Sequence, residues 1–266
     1  MLIVKVGGAK NIDWDLIAAD LKNILEREQV VLVHGASQTR DDIAKTLDAP
    51  SETVVSPSGV SSVFTNRRAM EIFLMAYSGL VNKLIVENFQ GHGINAIGLS
   101  GVDGRIWEGK RKDRLLVKEG EKIKVRKGNL TGRVEKVNTG LITNLVQEGY
   151  VPVICPPAIS YEKELINVDN DLAIAVMARE LGVKNIVVLF EAGGLLEDLS
   201  DPHSLVKKIN KEEIEKFYDF AKGRMKKKIM GAKEALDNGA EKLYWGPINI
   251  DSPITKAIEG GGTIIS

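Results

Sequence analysis

Three glycine-containing turns in this chain each follow a short apolar run: Lys5-Val6-Gly7-Gly8-Ala9, His34-Gly35-Ala36-Ser37 and Glu191-Ala192-Gly193-Gly194. Small residues at the carboxyl end of a strand let backbone N–H groups approach an anion, and a helix starting there adds a favourable dipole. One such turn is weak evidence, because most glycines only turn the chain. Three, with a lysine inside the first, point to a phosphate or carboxylate ligand. Two groups of cations could serve it. Lys5 closes the first strand, where a solvated lysine is unusual. The run Arg224-Met225-Lys226-Lys227-Lys228 opens a helix and so opposes its dipole, a location that a polyphosphate nearby would relieve. Asn167-Val168-Asp169-Asn170-Asp171 crowds two acids at another helix start. Ordinary capping and a carboxylate that positions the lysines both fit this pattern, and spacing does not choose between them.

The elements that would hold these residues alternate between short Val- and Ile-rich runs and longer helical patterns. Leu2–Val6, Val30–Val33, Ala96–Leu99, Val151–Ile154, Ile186–Phe190, Lys242–Trp245 and Thr263–Ile265 read as strands, several of them apolar at every position, as in strands covered on both faces. Trp14–Glu28, Asp41–Leu47, Arg67–Gln90, Thr139–Glu148, Asn170–Leu181, Lys211–Tyr218 and Arg224–Asn238 read as helices, and Gly149, Gly182 and Gly239 stand where three of them should stop. The order implies an α/β sandwich with a mostly parallel central sheet and helices on both faces. Tyr161–Lys163 is the expected hinge between an N-terminal lobe, 1–160, and a C-terminal lobe, 161–266.

Composition narrows the chemistry. The 266 residues are 44% hydrophobic and 27% charged, enough for a full core, and the formal net charge is zero, which offers no global attraction to nucleic acid or membrane. Cys155 is the sole cysteine, which excludes an internal disulfide framework and a thiolate zinc cluster. His34, His92 and His203 lie in unrelated contexts, so no histidine metal site is expected. No apolar run has the length of a membrane span, and the opening residues read as a strand rather than a leader, so a cytoplasmic protein is expected. The sequence lacks Gly-x-x-x-x-Gly-Lys-[Ser/Thr], the phosphate loop of one large class of nucleoside triphosphatases, and lacks Gly-x-Gly-x-x-Gly after its first strand.

One segment breaks the α/β rhythm. Arg105–Lys136 carries alternating stretches (Leu115–Lys118, Lys122–Arg126, Val134–Val137) separated by Gly120, Gly128 and Gly132, and reads as inserted β-hairpins. It holds twelve basic and five acidic residues. A solvated hairpin surface and a docking face for an acidic partner are both open readings of that surplus.

Taken in order, these residues resemble the amino acid kinase family, and within it the acetylglutamate kinase branch. The resemblance rests on Lys5-Val6-Gly7-Gly8, Val33-His34-Gly35-Ala36-Ser37, Gly79-Leu80-Val81-Asn82-Lys83, Asn95 to Gly104, Thr131-Gly132-Arg133-Val134, Pro156 to Ser160 and Gly223 to Lys228, and spans the whole chain. The subgroup it most resembles phosphorylates 2-aminoadipate, and in some members glutamate, whose amino group is attached to a small acidic carrier protein, LysW. The resemblance implies ATP and Mg2+ as cofactors, no protein-built metal site, and an acyl phosphate product. It implies that Lys5 and Lys228 flank the transferring phosphoryl group and that Asp171 orients both. It further implies Gly8, Gly35, Ala36 and Asn167 at the acyl substrate, and Gly7, Glu191, Gly194 and Met225 at the nucleotide. The first strand opens the chain directly, without the extra N-terminal helix of arginine-sensitive relatives, so a homodimer built on the helix at Arg67–Gln90 is expected.

Several positions depart from that pattern. Ser62-Val63-Phe64-Thr65-Asn66 stands where the subgroup has Ser-Arg-x-Thr-Asp, so Val63 replaces an arginine that clamps a substrate carboxylate, and Arg67 or Arg68 would have to take over. Ala36 replaces a glycine, Asp169-Asn170-Asp171-Leu172 replaces Asp-Gly-Asp-Gln, and Glu191-Ala192-Gly193-Gly194 replaces Asp-Val-x-Gly. Two other readings stay open: a kinase of free acetylglutamate, and a catalytically silent regulator.

Overall fold

The apolar runs become strands of one eight-stranded sheet because only burial on both faces satisfies residues that are hydrophobic at every position. Across the sheet the strands run Lys208–Ile209, Thr263–Ile265, Lys242–Pro247, Asn185–Phe190, Leu2–Val6, Val30–His34, Val151–Cys155 and Ala96–Ser100. All pairings are parallel except that of Thr263–Ile265 with Lys242–Pro247. The computed structural model describes every residue but 58–60, 121, 199–200, 202, 219–220 and 222. Of the residues singled out above, Glu121 and the side chains of Glu119 and Arg224 lie outside the described set.

Strands from 1–160 form one half of this sheet and strands from 161–266 the other, and the halves join where Leu2–Val6 pairs with Asn185–Phe190. Alternation along the first strand sorts its side chains. Leu2, Val4 and Val6 pack with Ile17 and Leu21 of the helix Trp14–Leu25, while Ile3 belongs to the opposite core with Ala173, Ile174 and Met177 of the helix Asn170–Leu181. Lys5 shares the face of Ile3. The last residue but one of the strand therefore delivers an ammonium group under a helix start.

The insertion forms two antiparallel ribbons. Trp107–Lys112 pairs with Thr131–Val137 and joins a four-stranded sheet with Ala158–Ser160 and Leu165–Ile166. Leu115–Glu119 pairs with Lys122–Arg126, and Val117 on its inner face packs against Val54 and Phe64. Gly149, Gly182 and Gly239 follow their helices with φ of 80°, 66° and 100°, a left-handed turn that ends each one.

One α-helix among the described residues escaped sequence reasoning. The helix Pro253–Ile258 is six residues long, and its start is satisfied from outside: the Asp20 carboxylate accepts from the amides of Ile254 and Thr255 at 2.6 and 2.9 Å. The helix expected at Arg67–Gln90 forms as one continuous helix, Arg67–Gly91, with a π-helical middle, Met75–Val81, that the periodicity did not reveal. Contrary to the expectation from apolar runs, its length and composition do reach those of a membrane span, although Met70, Phe73, Ile85 and Phe89 on one face are packed into the core. Interspersed polar residues, Glu71, Asn82 and Lys83 among them, hide that length from a search for unbroken apolar stretches.

The long motif from Gly79 to Gly104 builds a buried polar net behind the site. Asn82 Nδ2 donates to Val153 O at 2.9 Å and lies 3.1 Å from His34 Nε2, while Lys83 Nζ donates to Gly98 O at 3.0 Å. Burial lowers the His34 pKa to about 4, so the ring is neutral, with Nδ1 donating to Gly35 O at 3.2 Å. A β-carbon on Gly98 would stand 2.1 Å from Asn82 Oδ1. Gly98→Ala should therefore lower the free energy of unfolding by about 1–3 kcal/mol. Gly91→Ala, where nothing lies within 4 Å, should instead raise it by roughly 0.4–1 kcal/mol, both read from urea midpoints.

Candidate active site

The two glycine turns of the N-terminal half interlock at the end of the sheet. A β-carbon on Gly8 would meet the Ser37 amide nitrogen at 2.6 Å, so only glycine allows the second turn to lie on the first. Gly8 O accepts from Gln38 N at 3.1 Å and from Ser37 Oγ at 3.3 Å, which anchors the helix Ser37–Thr46 directly to the first turn. The Gly7 amide donates to Leu189 O and the Gly35 amide to Val6 O, at 2.9 and 3.0 Å. The Gly8 amide makes no hydrogen bond among the described residues.

Asp169 caps the helix Asn170–Leu181, its Oδ1 accepting from Asp171 N at 2.9 Å and Leu172 N at 3.4 Å. Capping fixes the first turn and so fixes Asp171, which answers the choice that spacing left open: Asp169 caps the helix, and Asp171 bridges Lys5 and Lys228. Lys5 Nζ lies 3.0 Å from Asp171 Oδ1, and Lys228 Nζ lies 3.5 Å from Asp171 Oδ2. Lys227 reaches Asp169 at 3.9 Å. Lys228 also stands 4.8 Å from the centroid of the Phe190 ring, at the start of the third glycine turn.

Gly231 makes this possible. It lies one turn after Lys228 on the helix Arg224–Asp237, and a β-carbon there would be 2.8 Å from the Asp171 β-carbon. The two helices meet closely enough for a lysine to reach back to the carboxylate only because this residue has no side chain. Sequence reasoning passed over Gly231; the signal was a glycine at i+3 from a proposed catalytic lysine inside a helix, where glycine is unfavourable.

The electrostatics of the cluster follow from three charges and little water. Burial alone would raise the Asp171 pKa, but Lys228 and Lys5 outweigh it and hold the carboxyl down at about 2. Lys228 is pushed down to about 7, by burial first and by the charge of Lys5, against the pull of Asp171. Lys5 stays raised: burial acts against it, and the Asp171 charge and its hydrogen bonds prevail. Asp169 is raised by burial and by its neighbour Asp171. Two cations thus share one anion, and the surplus positive charge faces the glycine turns.

On the substrate side, Asn167 Nδ2 donates to Thr65 Oγ1 at 3.1 Å, and both residues line a narrow cleft with Val63, Arg40, Ala69 and Phe73. Neither Arg67 nor Arg68 enters that cleft. They are 70% and 51% exposed and pair with Glu71 at 3.5 and 3.6 Å, which corrects the expectation that one of them stands in for Val63. Asn170, in the place of a family glycine, donates to His34 O at 3.0 Å and ties the lysine cluster to the second turn. Of the residues expected at the nucleotide, Glu191 is exposed at the end of its strand, Gly194 is buried under Leu205 and Thr263, and Met225 lies in the first turn of the helix that carries Lys228. Among the described residues no group of three or more His, Cys, Asp or Glu is placed to hold a metal.

Two lysines on one buried carboxylate make an asymmetric prediction. Lys228→Met leaves a neutral Lys5–Asp171 pair and should hold or raise the unfolding midpoint at pH 7. Asp171→Asn leaves two cations facing each other and should lower stability by roughly 3 kcal/mol. Because the folded pKa of Lys228, about 7, lies below its ordinary 10.5, the unfolded chain binds more protons between those values. Wild-type stability should therefore rise with pH across that window, and Lys228→Met should lose that rise.

The model of the Amino acid kinase family matches residues 1–244. A LysW-aminoadipate kinase from Deinococcus radiodurans is 46% identical over 267 residues, covering all of this chain and 91% of that one. A LysW-aminoadipate kinase from Thermus thermophilus is 42% identical, with full coverage of both. Carbamate kinase from Giardia lamblia bound to AMP-PNP shares the fold, with a TM-score of 0.65 at 17% identity over 99% of this chain and 97% of that one. Interlocked glycine turns at the carboxyl ends of two central strands, a lysine from each half and a shared aspartate are carried here on the fold and sequence of one family, and the chain belongs to the amino acid kinase family.

Proposed function

We propose that this protein transfers the γ-phosphoryl group of ATP to the distal carboxylate of 2-aminoadipate attached through its amino group to a small acidic carrier protein. The observation that carries the reading is the Lys5–Asp171–Lys228 cluster beside the Gly8 turn. An oxygen of the acceptor carboxylate attacks the γ-phosphorus, the bond to the bridging oxygen breaks, and ADP leaves with the electron pair. The product is an acyl phosphate. An ionised carboxylate has no proton to give up, so no general base is required. That fits an Asp171 fully engaged with two ammonium groups. Catalysis of this kind rests on positioning and on charge supplied where charge builds up. Lys5 and Lys228 flank the moving group from the two halves of the sheet, and the triphosphate raises the Lys228 pKa as it binds, keeping the side chain protonated.

The remaining assignments rest on the family resemblance. Gly8, Gly35 and Ala36 line the acceptor side, and Asn167 offers its amide to the acyl linkage. Glu191, Gly194 and Met225 serve the nucleotide from the 161–266 side, with Gly7 of the first turn beside them, and the 1–160 side holds the acceptor. Mg2+ suits a site without a protein cage, since it commonly binds through phosphate oxygens and water, and it would offset triphosphate charge. The hairpin Leu115–Glu119/Lys122–Arg126 supports the carrier: its outer face exposes Leu116, Ile123 and Val125, at 56%, 60% and 54%, among lysines. An apolar strip with basic neighbours suits an acidic protein surface. Met75, Leu80 and Leu84 are exposed at 46%, 46% and 51% along Arg67–Gly91, which supports a homodimer through that helix. A cytoplasmic enzyme of lysine biosynthesis results, with carrier-linked glutamate, and so arginine biosynthesis, as the neighbouring possibility.

Two measurements test the reading. With Mg-ATP and carrier-linked aminoadipate, carrier-linked glutamate or free acetylglutamate in parallel, acyl phosphate trapped as hydroxamate should appear with the first, and Lys228→Ala should give none. Turnover of acetylglutamate alone would replace the acceptor, and ATP binding without turnover of any of the three would overturn the kinase assignment. Gly231→Ala, which pushes the helix away from Asp171, should lower kcat on the order of 100-fold while leaving the KM for the carrier-linked acceptor within about threefold.

A further inference from the structure

We propose that Arg40 is the residue that binds the second carboxylate of the acceptor, the one that is not phosphorylated, and that it replaces from a helix the charge missing at Val63 on a strand. The inference rests on the proposed acceptor being an acylated diacid.

Among the described residues lining the cleft with Val63, Thr65 and Asn167, one is a cation, Arg40. Its side chain is only 11% exposed. Nε and Nη2 both donate to one oxygen of Asp41, at 3.0 and 2.6 Å, which leaves Nη1 without a hydrogen bond among the described residues. That Asp41 oxygen also accepts from Ser51 Oγ at 2.9 Å, so the guanidinium is braced from its outer edge. Ala69, Ile72 and Phe73 form the apolar wall of the cleft, and the Tyr77 ring stacks on Phe73 at 3.9 Å. A confined guanidinium with an unbonded Nη1, lining an apolar cleft together with hydroxyl and amide groups, has the chemistry that recognises a carboxylate.

The origin of the charge sets its position. Arg40 lies one turn into the helix Ser37–Thr46, and its amide donates to Ala36 O at 2.9 Å. The Ala36 turn and the clamp are therefore parts of one rigid element, about 6 Å apart along the axis at 1.5 Å per residue. Reacting group and clamp cannot shift independently, so Arg40 fixes which chain length between the two carboxylates is accepted.

The test is binding, measured calorimetrically with ADP present, alongside turnover. Wild type, Arg40→Ala and Arg40→Lys would each be given carrier-linked aminoadipate and carrier-linked 5-aminopentanoate, which keeps the distal carboxylate and lacks the other. Wild type should bind the diacid at least about 30-fold more tightly than the monoacid, a margin expected of a charge-assisted hydrogen bond. Arg40→Ala should abolish that preference without changing monoacid affinity, and Arg40→Lys should keep part of it. A purely structural role would weaken both ligands equally and overturn the proposal, as would a preference that survives Arg40→Ala or that wild type never shows. If the preference depends on Arg40 while the distal carboxylate is not phosphorylated, the clamp stands and the proposed function falls.

Discussion

A single carboxylate has to hold two ammonium groups that arrive from opposite halves of the sheet. Asp171 satisfies Lys5 and Lys228 at once, and a buried charge set of this kind is tolerable only when every member is fixed. Much of the fold can be understood as supplying that fixation. The parallel pairing of Leu2–Val6 with Asn185–Phe190 puts Lys5 under the helix start. Asp169 caps that start, so the first turn cannot fray. Gly231 removes the one side chain that would keep the second helix away. The cluster keeps a surplus positive charge, a standing electrostatic cost while the site is empty and a ready complement to a triphosphate.

Because the surplus is divided unequally, the two lysines differ. Lys5, enclosed in the sheet and closest to the carboxylate, keeps its proton firmly, whereas Lys228, across a helix interface, is the one whose proton is held loosely. A cation near its neutral point in the empty site becomes a full cation when phosphate charge arrives. Ligand binding and protonation are thus one event, and the site is most strongly charged when it holds the group to be transferred.

The sheet strands were legible because strands buried on both faces carry an unbroken apolar signature, and the cation sites were legible because lysine is out of place at the end of such a strand and at a helix start. What the sequence concealed was set by distant partners. The helix Pro253–Ile258 depends on Asp20, more than two hundred residues away, for its cap. Gly231 reads as a helix weakness until Asp171 is seen against it. The loss of arginine at Val63 was visible, but its replacement was sought one turn along the same segment, at Arg67 and Arg68, whereas the cleft is shared with a helix that follows a different strand. Arg40 carries no motif of its own. The Gly79–Gly104 stretch, the longest match to the family pattern, turns out to be a scaffold: it seats a neutral His34 behind the second turn rather than touching a reacting group.

Lys228 sits in a shared, buried charge cluster whose positive surplus complements phosphate. The most direct test is an NMR titration of the Lys228 13Cε resonance, assigned by its loss in Lys228→Met, with and without a non-hydrolysable ATP analogue. The account predicts a midpoint near the depressed value of about 7 in the free protein, moving up by more than about one unit when the analogue binds, as nearby negative charge requires. A midpoint at the ordinary lysine value of 10.5, unchanged by the analogue, would contradict it.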